Sequence, residues 1–180
     1  MMGPSHRLLG ALFGATYASL TAASTPVLVA STIVSTTMAY GMSSPDMDQA
    51  GAWKKFSTAT GLGKLLGHRH LTHWWGLPLA AVFPILALDP GQRWVFWALL
   101  LGWVSHLVGD FAFGKLPLLP WGGAWLGIGL DTDGILESGA GPLRFSLLRT
   151  LIVAALVAVI WLRPVLPELP ELPGWIPFAG

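Results

Sequence analysis

The sequence predicts an all-α integral membrane protein, a helical bundle with four to five transmembrane or re-entrant helices. Three observations carry this. Charged residues make up only 11% of the 180-residue chain and hydrophobic residues 53%, with a mean hydropathy of +0.63. A soluble domain carries roughly 25% charged residues. This chain cannot coat a water-facing surface, and lipid is the economical cover. From Leu8 to Pro45 there is no Asp, Glu, Lys, Arg or His, a run of 38 residues. Ten Trp stand against two Tyr, many of them near the ends of apolar runs, which suits anchoring at a membrane–water interface.

The elements follow in order. One helix over Leu8 to Pro45 would span about 57 Å, nearly twice a bilayer core. Pro26, after the small polar stretch Thr21 to Thr25, offers a break. The run is therefore expected to be a hairpin of helices over about 7–23 and 27–43, rich in the small residues that let helices approach in lipid. "MMGPSHR" before "LLGALFGATYASLTAA" also has the features of a secretory signal. The apolar run resumes at Val27, which favours a retained helix. Residues 46–72 are polar. A third apolar run, Trp74 to Leu88, contains Pro78 and Pro84, and "DPGQ" at 89–92 reads as a turn. A fourth run is Arg93 to Phe113. The Gly/Pro-rich stretch 114–143, with "PLLPWGGAWLGIGL", reads as re-entrant or interfacial, and a fifth helix covers about 145–163. Residues 1–165 form one membrane-embedded domain, and 166–180 a proline-rich, extended tail.

The net charge of +1, with no basic stripe, gives no reason to expect a nucleic-acid partner; membrane lipid is the expected partner. The absence of cysteine removes disulfides, thiolate nucleophiles and Cys-type zinc sites. Any metal must be held by His and carboxylate. On the hairpin reading, Arg7, Lys54, Lys55, Lys64, Arg69, Lys115, Arg144 and Arg149 fall on one membrane side, and Arg93 and Arg163 on the other. The excess predicts that the first side is cytoplasmic.

The polar residues gather on that side. His6 stands before helix 1, Asp46 and Asp48 after helix 2, and His68, His70 and His73 before helix 3. His106 and Asp110 stand near the end of helix 4. Starts of odd helices and ends of even helices share one face. His106 and Asp110, four apart, lie on one side of a helix. Asp46 and Asp48, two apart after Pro45, point the same way if extended. His68 and His73, five apart, suit a loop entering a helix capped by Thr72. Taken singly, each has a bland reading: a solvated interfacial His beside Arg69, or aspartates that end a helix in water. Together they fit a divalent ion, zinc first, with manganese, iron or magnesium as alternatives, and one or two ions. Such an ion lowers the pKa of its water and polarises a phosphoryl or carbonyl oxygen, so hydrolysis is the natural chemistry.

"SPDMDQ" at 44–49, "GHRHLTH" at 67–73 and "GWVSHLVGDFAFGKLPLLPW" at 102–121 resemble the bacterial inner-membrane metal-dependent hydrolase family. That family is typified by a small LexA-regulated membrane protein and was formerly a domain of unknown function. The resemblance covers roughly residues 5 to 145. It implies that His6, Asp46, Asp48, His68, His73, His106 and Asp110 are metal-site residues, with Arg69 and Thr72 matching the histidine motif. "TDGILE" at 132–137 implies Glu137 as a further ligand or base. Two positions depart from the pattern: Gln49 stands where His is usual, and His70 where Gly is usual, which makes His70 the dispensable histidine.

The expected function is a membrane-bound, metal-dependent hydrolase, phosphoesterase-like. It acts on an ester or phosphoester, lipid-linked by virtue of the site's position, at the cytoplasmic membrane face. Asp48 is ligand or general base, and Arg69 stabilises an anionic group. The alternatives are a non-catalytic metal binder or transporter and a regulatory membrane protein. A transporter places its ionisable residues near the bilayer midplane, whereas here they cluster at one end.

Overall fold

The computed structural model describes residues 3–21, 23–40, 45–46, 55, 59–60, 71–129 and 147–162. These are predominantly helical with one small sheet. The order is α1 (Gly3–Leu20), α2 (Thr25–Ala39), a 3₁₀ turn (Leu71–His73), α3 (Gly76–Leu86), α4 (Pro90–Phe113), β1 (Leu116–Leu119), β2 (Gly122–Leu126) and α5 (Leu147–Leu162). The tail 166–180 lies outside the described residues.

The hairpin of α1 and α2 breaks where expected, but α2 starts two residues early and stops at Ala39. Thr25 and Pro26 join its first turn, where proline's missing N–H costs nothing because that position has no helical acceptor. At the other end Tyr40 is extended. The threonines of α2 fold their hydroxyls back onto the helix: Thr32 donates to the Leu28 carbonyl at 2.7 Å and Thr36 to the Thr32 carbonyl at 2.6 Å. A polar residue is thereby satisfied within its own helix, as an apolar surrounding requires.

Three expectations are corrected or sharpened. "DPGQ" is not a separate turn but the start of α4. Asp89 is the extended N-cap residue, Pro90 opens the helix, and the Gln92 N–H donates to the Asp89 carbonyl at 2.9 Å. The described part of the stretch read as re-entrant or interfacial forms an antiparallel hairpin, β1 against β2, with Leu116 opposite Leu126 and Pro117 opposite Trp125. Thr72 does not cap α3 either; the N-cap position is Trp75, which makes no side-chain cap bond.

Helices α1, α2 and α4 meet along a seam of small residues. Gly10 and Gly14, four apart on α1, lie against Ser31, Ser35 and Ala39 of α2. Gly102 of α4 lies against the Ser35 carbonyl and Met38. A side chain at any of these glycines would collide with a neighbouring backbone, so the helices approach closely because these positions are glycine. Ser31, Ser35 and Ala39 are fully buried. Helix α5 packs on α1, and α3 on α4.

Among the described residues α4 is the one helix both long and apolar enough to cross a membrane, with 24 residues. The apolar α2 and α3 have 15 and 11 residues, about 22 and 16 Å of helix against a hydrocarbon core of about 30 Å. Large apolar side chains on α2, α3 and α5 face outward, among them Ile33, Phe83 and Trp161.

Candidate metal centre

The small-residue seam delivers the polar residues. On α1, His6 stands one turn before Gly10. On α4, Gly102, His106 and Asp110 stand at successive four-residue intervals, on one face. Ser35 and Ala39 occupy the facing side of α2. Close approach at the glycines therefore brings His6, His106 and Asp110 together with the end of α2. All three are buried within a few per cent of completely, as is His73. His6 lies in the first turn of α1 rather than ahead of it.

His73 arrives by a different route. The Trp103 indole N–H, on α4, donates to the Thr72 carbonyl at 2.9 Å. This pins the 3₁₀ turn to α4 one turn before His106. The Thr72 hydroxyl lies 3.1 Å from His73 Nδ1, so the other ring nitrogen points into the cluster.

His73 Nε2 and His106 Nε2 face each other at 3.3 Å. His106 Nδ1 donates to the Ala39 carbonyl oxygen at 2.7 Å. A carbonyl only accepts, so Nδ1 carries the proton and a neutral ring keeps its lone pair on Nε2. Asp110 Oδ2 lies 3.4 Å from His73 Nε2 and 3.6 Å from His106 Nε2. Asp46 completes the group: its Oδ1 is 3.2 Å from His73 Nε2 and its Oδ2 3.5 Å from His106 Nε2. Asp46 is the most open of the five, 23% exposed at its side chain.

His6 stands behind Asp110. Its Nε2 meets Asp110 Oδ1, the oxygen turned away from His73, at 3.2 Å. Its ring stacks on His106, with centroids 4.1 Å apart and 16° between planes. His6 thus fixes the rotation of the Asp110 carboxylate and supports the His106 ring.

Outside the helices, two titrations are shifted. Burial pulls His73 toward the neutral form, but its hydrogen bonds to Asp110 and Asp46 and their negative charge outweigh this, and it titrates above its ordinary value. Burial pushes Asp46 upward, but the His73 hydrogen bond and the nearby His106 and His73 charges hold it below its ordinary value.

This group could hold a metal ion. Two sets of three ligand atoms, His6–His106–Asp110 and Asp46–His73–His106, each lie within 4.8 Å of one another. Two ligands of a tetrahedral ion at about 2.1 Å stand about 3.4 Å apart. The His73–His106 separation and those from each of these rings to Asp46 and Asp110 run from 3.2 to 3.6 Å. Two imidazoles and two carboxylates are also the donor set that borderline divalent ions accept.

Of the expected site residues, His6, Asp46, His73, His106 and Asp110 come together. Asp48, His68, Arg69 and Glu137 lie outside the described residues, as do His70 and Gln49. Residue types alone gave no sign of the Ala39 carbonyl, which orients His106, or of Trp103. The signal that was there is spacing: His6–Gly10–Gly14, Ser31–Ser35–Ala39 and Gly102–His106–Asp110 share one four-residue interval.

No curated protein and no solved structure matches the chain. A family model described as YdjM inner membrane protein matches residues 1–166, which spans the helices, the hairpin and all five converging residues. The bacterial inner-membrane resemblance carried by the three motifs agrees with that match. The chain belongs to the YdjM inner membrane protein family.

Proposed function

We propose that this protein is a multi-pass, membrane-bound, metal-dependent hydrolase acting on an ester or phosphoester at the cytoplasmic membrane face. The observation that carries the reading is the group of two imidazole Nε2 atoms and two carboxylates, with His–His and His–carboxylate separations of 3.2 to 3.6 Å. Asp110 is almost completely buried, and two imidazoles with two carboxylates are a donor set that suits a divalent cation. The outward apolar faces of α2, α3 and α5 support a multi-pass arrangement, in which the shorter helices extend through neighbouring loops. The excess of Lys and Arg on the site side supports the cytoplasmic orientation.

His73, His106, Asp46 and Asp110 would hold one ion, zinc first. When bound, it would activate water and polarise the carbonyl or phosphoryl oxygen. His106 is held as a ligand by the Ala39 carbonyl, His73 by Thr72, and Asp110 by His6, the outer contacts that fix ligand tautomer and angle. The more open Asp46 marks the side from which substrate enters. Asp48 as ligand or base, His68 as a further ligand, Arg69 as the anion-binding group and Glu137 as a further ligand or base complete the reading.

Metal analysis of the purified protein, paired with a panel of carboxylic esters and phosphoesters, tests it. The expected result is a stoichiometric divalent metal and metal-dependent turnover, both lost in His106→Ala and Asp46→Ala. No bound metal in the wild type, or metal retained in both variants, overturns the site. Bound metal without turnover across the panel favours a non-catalytic metal-binding or regulatory membrane protein.

A further inference from the structure

The β1–β2 hairpin is apolar where it should be polar. Leu118 is 50% exposed, Trp121 at its turn 72%, Leu126 53%, and Ile128 just beyond it 62%. At the other end the first strand is buried, through Leu116 and Pro117. A lone two-stranded hairpin is marginal in water, and an apolar tip makes it worse. Nor can it sit in hydrocarbon, because a two-stranded sheet has two open edges whose backbone groups would go unsatisfied there. The headgroup–acyl boundary satisfies both demands, since water reaches the edges while acyl chains cover the tip. Tryptophan at the turn is the residue type that this boundary favours.

The base of the hairpin is fixed at two points. The Trp74 indole N–H donates to the Leu118 carbonyl at 3.0 Å, and the Ile128 N–H donates to the Phe111 carbonyl at 2.8 Å. Trp74 follows His73, and Phe111 follows Asp110. Each clamp is thus made by the immediate chain neighbour of a cluster residue. The crossing at Gly127 is tight enough that a side chain there would strike the Gly114 carbonyl. Wherever the hairpin rests, the cluster is held beside it.

We infer that the hairpin docks into the bilayer at the headgroup–acyl boundary and sets the depth of the metal cluster, so that the site takes a lipid whose scissile polar group lies at that level. The occupant of the apolar tip is the bilayer itself: the chain belongs to an inner membrane family, and the hairpin follows directly on the one described helix able to cross a membrane. The substrate class rests on the hydrolase reading above; the docking of the hairpin does not.

The chain has no cysteine, so single labels are clean. Trp121→Cys and Leu119→Cys variants of the full protein, at the turn end of the hairpin, labelled with a small fluorophore, are reconstituted in phosphatidylcholine–phosphatidylglycerol vesicles. Lipids brominated near the headgroup end of the acyl chain are expected to remove most of the emission. Bromine near the methyl end, and aqueous iodide, are expected to remove little. Quenching by iodide as strong as for the free dye puts the tip in water and overturns docking. Quenching by none of the three puts the tip against protein and also overturns it.

Turnover reads the second half. Trp121→Asp should lose at least ten-fold of its rate on a vesicle-borne phospholipid, while keeping its metal content and its rate on a short-chain, water-soluble phosphoester. Equal loss on both substrates makes the hairpin a folding element and overturns the substrate class. If the wild type turns over neither, the hydrolase reading and the substrate class fall together, and the quenching data alone decide the docking.

Discussion

The backbone carbonyl of Ala39 accepts the Nδ1–H of His106 at 2.7 Å. Ala39 is the last residue of α2, and the final carbonyls of a helix have no partner within it. An unused helix end therefore fixes the tautomer of a histidine 67 residues later, and turns its Nε2 toward His73. The glycine seam makes the contact, since Gly10 rests against Ala39 itself and Gly102 against the turn before it.

Replacing His106 by Asn should separate folding from metal binding. Asn keeps an N–H near the Nδ1 position, and so the bond to Ala39, but has nothing at Nε2. Helix content and thermal unfolding in detergent should stay close to wild type. Zinc affinity, by competition with a chromophoric chelator, should fall by more than the roughly 10–100-fold that loss of an outer partner costs. Wild-type affinity in this variant would remove His106 from the ligand set.

His6→Ala tests the supporting role. With Asp110 Oδ1 released, affinity should fall about 10–100-fold with the metal-to-protein ratio unchanged at saturation. A ratio that drops from two to one would instead make His6 a ligand to a second ion.

Gly102→Val should cost both stability and metal. The new side chain meets the Ser35 carbonyl and Met38, and overpacking of this kind costs about 1–3 kcal/mol. The thermal midpoint in detergent should drop, and metal binding should weaken because Gly102 and His106 share one helix face. A midpoint equal to wild type would mean that the helices do not meet closely at Gly102.

Metal stabilisation should depend on pH in a fixed sense. The raised His73 value means that, without metal, its pairing with Asp110 and Asp46 stabilises the fold below the ordinary histidine value of about 6.5. That contribution is lost as pH rises through the raised folded value. The lowered Asp46 value contributes stability above its unfolded value, lost on acidification through the folded one. An ion must displace the His73 proton. The rise in thermal midpoint on adding zinc should therefore be larger at pH 8 than at pH 6. A larger rise at the lower pH would exclude His73 as a ligand.

Composition and order along the chain were enough to predict a helical membrane protein with its polar residues at one end. Charge scarcity speaks directly to the surrounding solvent, and helix counting to which ends share a face. The pairing of His106 with Asp110 was equally plain, because a four-residue interval is a local property of any helix. The split of the five converging residues was not. That His6 holds one oxygen of Asp110 while His73 and His106 take the other depends on how closely three helices approach, which contacts far apart in sequence set. The same holds for "PLLPWGGAW". Its Gly/Pro-rich, apolar sequence reads as re-entrant or interfacial without deciding between them, and its hairpin form, with the clamps that tie it to the neighbours of His73 and Asp110, arises only when α4 and the 3₁₀ turn are packed together.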